Sequence, residues 1–146
     1  MNLSDFLDSA NDLCSPLALD SGATLHLPSR PPGREAFPLL DGAQLVTSNA
    51  SPIRAIAEGI VVQTAPLVIT HRNNLLSLYR WDGSPHVSLG ASVTHGQSVG
   101  RIGDGASLHF EIGVSLYAPQ CDPQHFMSLD PRPVLNQFPA PINYDA

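Results

Sequence analysis

The chain has 146 residues, enough for one domain with a true core, since a chain of this size buries roughly 68–70% of its unfolded surface. Its formal net charge is −6, with thirteen acidic residues against seven cationic ones and no basic block, which speaks against nucleic-acid binding. All seven cations are Arg and none is Lys, which removes every chemistry needing an ε-amine: a PLP Schiff base, the P-loop phosphate lysine, a Lys general base, and the attachment lysine of biotinyl or lipoyl carriers.

The N-terminal segment Met1-Asn2-Leu3-Ser4-Asp5-Phe6-Leu7-Asp8 is acidic and lacks a positive region followed by an apolar run, so no signal peptide is expected. No apolar stretch of bilayer-spanning length follows. These features predict a protein that starts in the cytoplasm and either stays there or leaves by a signal-independent route. Ser4 is placed to cap a short helix whose apolar positions Phe6, Leu7, Ala10 and Leu13 fall at helical spacing, ending before Ser15-Pro16. Ser29-Arg30-Pro31-Pro32-Gly33-Arg34 reads as an extended linker or surface loop.

Between Gln44 and Ile112 the chain is a succession of short Val- and Ile-rich segments broken by Gly, Pro and Asn, without helical periodicity. Strands are predicted at 44–47, 53–58, 59–64, 67–71, 75–80, 98–102 and 107–114. Only three of the fourteen prolines, Pro52, Pro66 and Pro85, fall inside this body, each between strands, as expected where Pro would remove a ladder donor. Beyond Phe126 the Pro-rich tail has no periodicity. Cys14 and Cys121 are far apart, outside any CxxC spacing, and are expected to be free thiols.

Five segments, in order, carry a resemblance. Ser51-Pro52-Ile53-Arg54-Ala55 leads to Gly59-Ile60-Val61; Leu67-Val68-Ile69-Thr70-His71 and Leu75-Leu76-Ser77-Leu78-Tyr79 flank a turn; Gly96-Gln97 precedes Val99-Gly100; Ser107-Leu108-His109-Phe110-Glu111-Ile112 forms a closing strand; and Asp122-Pro123 precedes Phe126. Together they resemble the LytM/lysostaphin-like zinc metallopeptidases, which cut peptidoglycan cross-links. The resemblance implies an all-β fold, a duplicated hybrid motif of short antiparallel strands with a barrel-sandwich-like core, in a domain at 28–128. An N-terminal helix and lead-in at 1–27 and an irregular Pro-rich tail at 129–146 would flank it.

The same resemblance implies a degenerate member. Active relatives hold zinc through an HxxxD pair and the second His of an HxH, three protein ligands plus a water. Here the HxxxD positions are Leu40 and Gln44, neither an effective zinc ligand. His109 keeps the HxH ligand position, whereas Ser107 and Trp81 stand where catalytic histidines are expected. No catalytic residue, metal or cofactor is therefore assigned, with zinc entering only if a displaced site is rebuilt from His109 with His26, His71, Asp41 or Glu111.

The former cleft is expected to be lined by Leu40, Gln44, His71, Tyr79, Trp81, Ser107 and His109, with Glu111 on the same strand face as His109. His71 is read as a ligand contact or a turn histidine, Trp81 as a plug or a stacking platform, and Glu111 as orienting His109 or simply solvated. His86, His95 and His125 read as solvated turn residues. Gly103-Asp104-Gly105-Ala106 is a turn, because a phosphate loop would need the missing Lys.

The expected function is a non-enzymatic binding or regulatory module, its partner a peptidoglycan peptide or a protein such as a cell-wall hydrolase. The alternatives are an active zinc endopeptidase with a displaced metal site, and a structural or immunity-type protein partner.

Overall fold

The computed structural model describes residues 14, 16–17, 24–27, 43–72, 75–115, 126–129 and 142–144. These residues form eleven strands: β1 (Thr24–Leu27), β2 (Ala43–Val46), β3 (Ser51–Arg54), β4 (Gly59–Thr64), β5 (Leu67–Thr70), β6 (Leu75–Arg80), β7 (Ser92–Val93), β8 (Ser98–Ile102), β9 (Ser107–Ser115), β10 (Phe126–Leu129) and β11 (Ile142–Tyr144). Nine lie in one sheet ordered β11-β1-β2-β9-β6-β5-β4-β7, with β10 also paired to β9, and β3 pairs with β8 in a second sheet. Every pairing is antiparallel except β1 with β11. Neither sheet closes on itself, so the all-β fold is an open sandwich.

Alternation on β9 shows why these segments become strands. Leu108, Phe110 and Ile112 are wholly buried, while Ser107, His109 and Glu111 between them are partly exposed, the period-2 pattern of a strand with one face on a core. The buried set joins Leu45 of β2, Leu67 and Ile69 of β5, and Leu75 and Tyr79 of β6 against Ile53, Val99 and Ile102 of the small sheet. Burying each such side chain contributes about 1.5–3 kcal/mol. Tyr79 and Phe110 meet edge to face, with centroids 5.4 Å apart and planes at 63°, an arrangement favoured by the ring quadrupoles.

The fold reaches beyond the 28–128 body. Thr24–Leu27 pairs antiparallel with β2, and Ile142–Tyr144, in a tail expected to be irregular, pairs parallel with β1. A three-residue strand cannot show periodicity in sequence. Leu17 bridges to Ile53 and is fully buried, and backbone bonds from Cys14 N to Ile56 O and from Arg54 N to Pro16 O continue that edge. Cys14 is free, its Sγ donating to Ala55 O at 3.2 Å. The N-terminal helix expected over Ser4 to Leu13 lies outside the described residues.

Gly59 admits no side chain, because a Cβ there would collide with the Thr70 carbonyl and approach His71 Nδ1 to 2.9 Å. That close approach lets the β4 entry sit directly against the end of β5.

Candidate functional site

The pleat of β9 sets Ser107, His109 and Glu111 on the sheet face opposite the core. Cross-strand register brings Gln44 of β2 directly opposite His109, and Arg80 of β6 opposite His109 on the other side. One strand further out, the backbone of His26 is in register with Gln44. A row His26, Gln44, His109, Arg80 therefore crosses four neighbouring strands, and residues so paired are near neighbours in space. Gln44 and Arg80 are exposed; Ser107, His109 and Glu111 are partly so.

His109 Nε2 donates to Glu111 Oε2 at 3.1 Å, with the two side chains 32% and 17% exposed. Glu111 thus fixes the imidazole, the orienting role that a carboxylate two residues along a strand can play. The donors that surround His109 are then a neutral carboxamide, a hydroxyl and a carboxylate already engaged with the ring. Among the described residues no group of three or more His, Cys, Asp or Glu side chains is placed to hold a metal. Catalytic zinc needs three such protein ligands, so the described set does not fit it. Leu40 and Asp41 lie outside the described residues.

The other candidates do not join this row. Tyr79 is among the residues lining a groove beside Trp81, but it does not share the His109 face. Its side chain lies on the core face, wholly buried, and its hydroxyl accepts from Ile56 N at 3.0 Å. Odd and even positions of β6 face opposite sides, so Arg80, not Tyr79, shares a face with His109. Burial drives the Tyr79 hydroxyl far above its ordinary pKa, against smaller opposing contributions from the Ser77 hydroxyl and the Ile56 amide.

His71 ends β5 as a bonded structural group. Its Nδ1 lies 2.8 Å from Glu58 O and its Nε2 2.8 Å from Ser77 Oγ. A carbonyl only accepts, so Nδ1 carries the proton and Nε2 accepts from the Ser77 hydroxyl. Burial holds this imidazole's pKa below its ordinary value, with the Glu58 carbonyl bond acting the other way.

Trp81 packs against the core cluster. A Cβ on Gly100 would come within 2.5 Å of its Cζ2, and one on Gly83 within 2.5 Å of its Nε1. The indole therefore lies close against two glycines, and its Nε1 is buried without an acceptor. Beside it opens a groove of about 410 Å³ lined in part by Pro66, Arg80, Trp81, Gly83 and Pro85. Arg80 escaped the sequence reading because its position between the groove and His109 depends on register alone.

His86 and His95 are exposed, and His125 lies outside the described residues. At the 103–106 turn, Gly105 takes φ +67° and Asp104 Oδ1 accepts from Ala50 N at 2.5 Å.

The model for peptidase family M23 matches residues 39–123, more than half of the chain. The chain belongs to peptidase family M23. No curated protein matches it. Among solved structures, this M23 domain is similar to the SpoIIQ–SpoIIIAH pore-forming complex at 16% identity, covering 91% of this chain and 94% of that one with a TM-score of 0.64. A variant of the catalytic domain of the prophage-encoded M23 protein EnpA from Enterococcus faecalis is 20% identical over 82% of this chain and 95% of that one, with a TM-score of 0.57. Both likenesses are of fold. A zinc-containing peptidase from Vibrio cholerae is 28% identical over 51% of this chain, with a TM-score of 0.45, and this chain spans 26% of its length.

Proposed function

We propose that this M23 domain is a degenerate, non-hydrolytic member of its family, serving as a binding or regulatory module for a partner protein or a peptidoglycan peptide. One observation carries the reading: neutral Gln44 stands in register with His109 where the family resemblance calls for an Asp ligand, and Glu111 occupies the Nε2 of that histidine. A zinc-activated water needs charge and several preorganised donors together. The sheet face bearing Gln44, Ser107, His109 and Arg80 instead offers donors, acceptors and one exposed cation, the equipment of a recognition surface. The similarity in fold to SpoIIQ, a protein solved in complex with SpoIIIAH, supports a protein as the partner.

A second reading, a zinc endopeptidase with a displaced site, is favoured by the register of His26 with Gln44, two strands from His109. Metal analysis of protein purified without chelator separates the two. The module reading expects less than stoichiometric zinc, no change on His109→Ala, and intact purified peptidoglycan after incubation. Stoichiometric zinc lost on His109→Ala, or cleavage of the peptidoglycan, establishes the enzyme instead. A co-purifying partner whose affinity survives both Trp81→Ala and His109→Ala would show that the former cleft takes no part and would assign a purely structural or immunity-type role.

A further inference from the structure

The groove beside Trp81 carries one charge. Of the residues lining its 410 Å³, Arg80 alone is ionised; it is exposed, and among the described residues no carboxylate pairs with it. The volume falls in the lower part of the range that small ligands occupy, about 300–1,000 Å³. Pro66 and Pro85 give the walls rigid apolar surface, and the Trp81 indole, packed closely against Gly83 and Gly100, lines the groove with them.

We propose that this groove binds the end of a peptide chain, with the terminal carboxylate on the Arg80 guanidinium and the preceding apolar side chain against Pro66, Trp81 and Pro85. The proposal rests on the binding-module reading and names the ligand chemistry of that module. A guanidinium presents two parallel N–H donors that match the two oxygens of a carboxylate. One cation matches one carboxylate. The domain's net charge of −6 repels polyanions at longer range, which selects a short peptide end over an acidic tract.

Trp81 is the only tryptophan in the chain, so its fluorescence reports occupancy directly. The probes are N-acetyl-Ala-Leu-Ala as the free acid, the same peptide as its C-terminal amide, and N-acetyl-Ala-Asp-Ala amide, which carries its carboxylate on a side chain. The free acid is expected to change Trp81 emission saturably, and the two amides to bind about tenfold more weakly or less, the loss of a charged hydrogen-bonded pair. Arg80→Gln should reduce the free acid to the level of its amide while leaving the thermal midpoint unchanged, since the residue is exposed. Equal affinity for acid and amide, an unaffected Arg80→Gln variant, equal binding of the side-chain acid, or no binding by any probe overturns the proposal. Metal content distinguishes the two failures: a zinc-free protein that ignores all three peptides loses this ligand assignment but keeps the non-hydrolytic reading.

Discussion

Gln44 faces His109 across the β2–β9 pair, residue against residue in antiparallel register. The backbone that would hold two metal ligands side by side is thus in place, while one of the two side chains is a neutral amide. On the non-hydrolytic reading proposed above, side-chain identity separates this domain from metal chemistry, because the strand register that aligns these two positions is present.

Restoring the missing donors tests that statement. The double substitution Leu40→His and Gln44→Asp returns the HxxxD pattern of the family resemblance and is expected to raise zinc content from below stoichiometric to about one per chain, three ligands being the usual protein complement of a catalytic site. Inductively coupled plasma analysis after dialysis reads the outcome. Removing His109 from the doubly substituted protein should abolish the gain.

His71 makes stability pH-dependent. Its folded pKa lies below the ordinary 6.5, so between the folded value and about 6.5 the unfolded chain binds more protons than the native one. Stability from this group is therefore complete above about pH 6.5 and declines as pH falls from there toward the folded value. His71→Asn should lower stability at pH 7.5 by about 1–3 kcal/mol through lost bonds to Glu58 and Ser77. It should also flatten the pH dependence of the thermal midpoint below 6.5. A slope identical to wild type would show that another group is responsible.

Tyr79 supplies the hydroxyl that pairs the Ile56 amide at 3.0 Å inside the core. Tyr79→Phe keeps the ring and its contact with Phe110 but leaves that buried N–H without a partner, a loss of about 1–3 kcal/mol. Urea denaturation is expected to show a lower midpoint with an unchanged slope, because the surface exposed on unfolding is nearly the same.

Gly100→Ala places a methyl 2.5 Å from Trp81 Cζ2 and 2.9 Å from Cη2. The indole also lies close against Gly83, so overpacking should cost about 1–3 kcal/mol. Trp81 emission should shift to longer wavelength as the ring moves toward solvent. Unaltered emission with unaltered stability would mean that the indole has room the contacts do not show.

Much of the architecture is legible in the sequence. Strands expected at 59–64, 75–80 and 98–102 coincide with Gly59–Thr64, Leu75–Arg80 and Ser98–Ile102, because alternation and Gly or Pro punctuation are local properties of the chain. The strand expected over 53–58 is instead Ser51–Arg54. Ala55 leaves the ladder to accept from Gly96 N and donate to Gln97 O, contacts forty residues away that no local window contains. Ser92–Val93 and Ile142–Tyr144 are two and three residues long, too short for a pattern, and exist only because a partner strand is at hand.

The candidate site divides along the same line. Composition alone excluded lysine chemistry, and motif order identified the family and singled out Gln44, Ser107 and His109 as the positions where its ligand and catalytic residues are expected. Tertiary structure decided what those residues face. It paired Gln44 and Arg80 with His109, gave Glu111 the Nε2 of that ring, turned Tyr79 into the core and packed Trp81 closely against two glycines. The physical reason is that strand periodicity assigns a side chain to one of two faces, but only the register between strands distant in sequence decides which face is the core and which residues meet on the other.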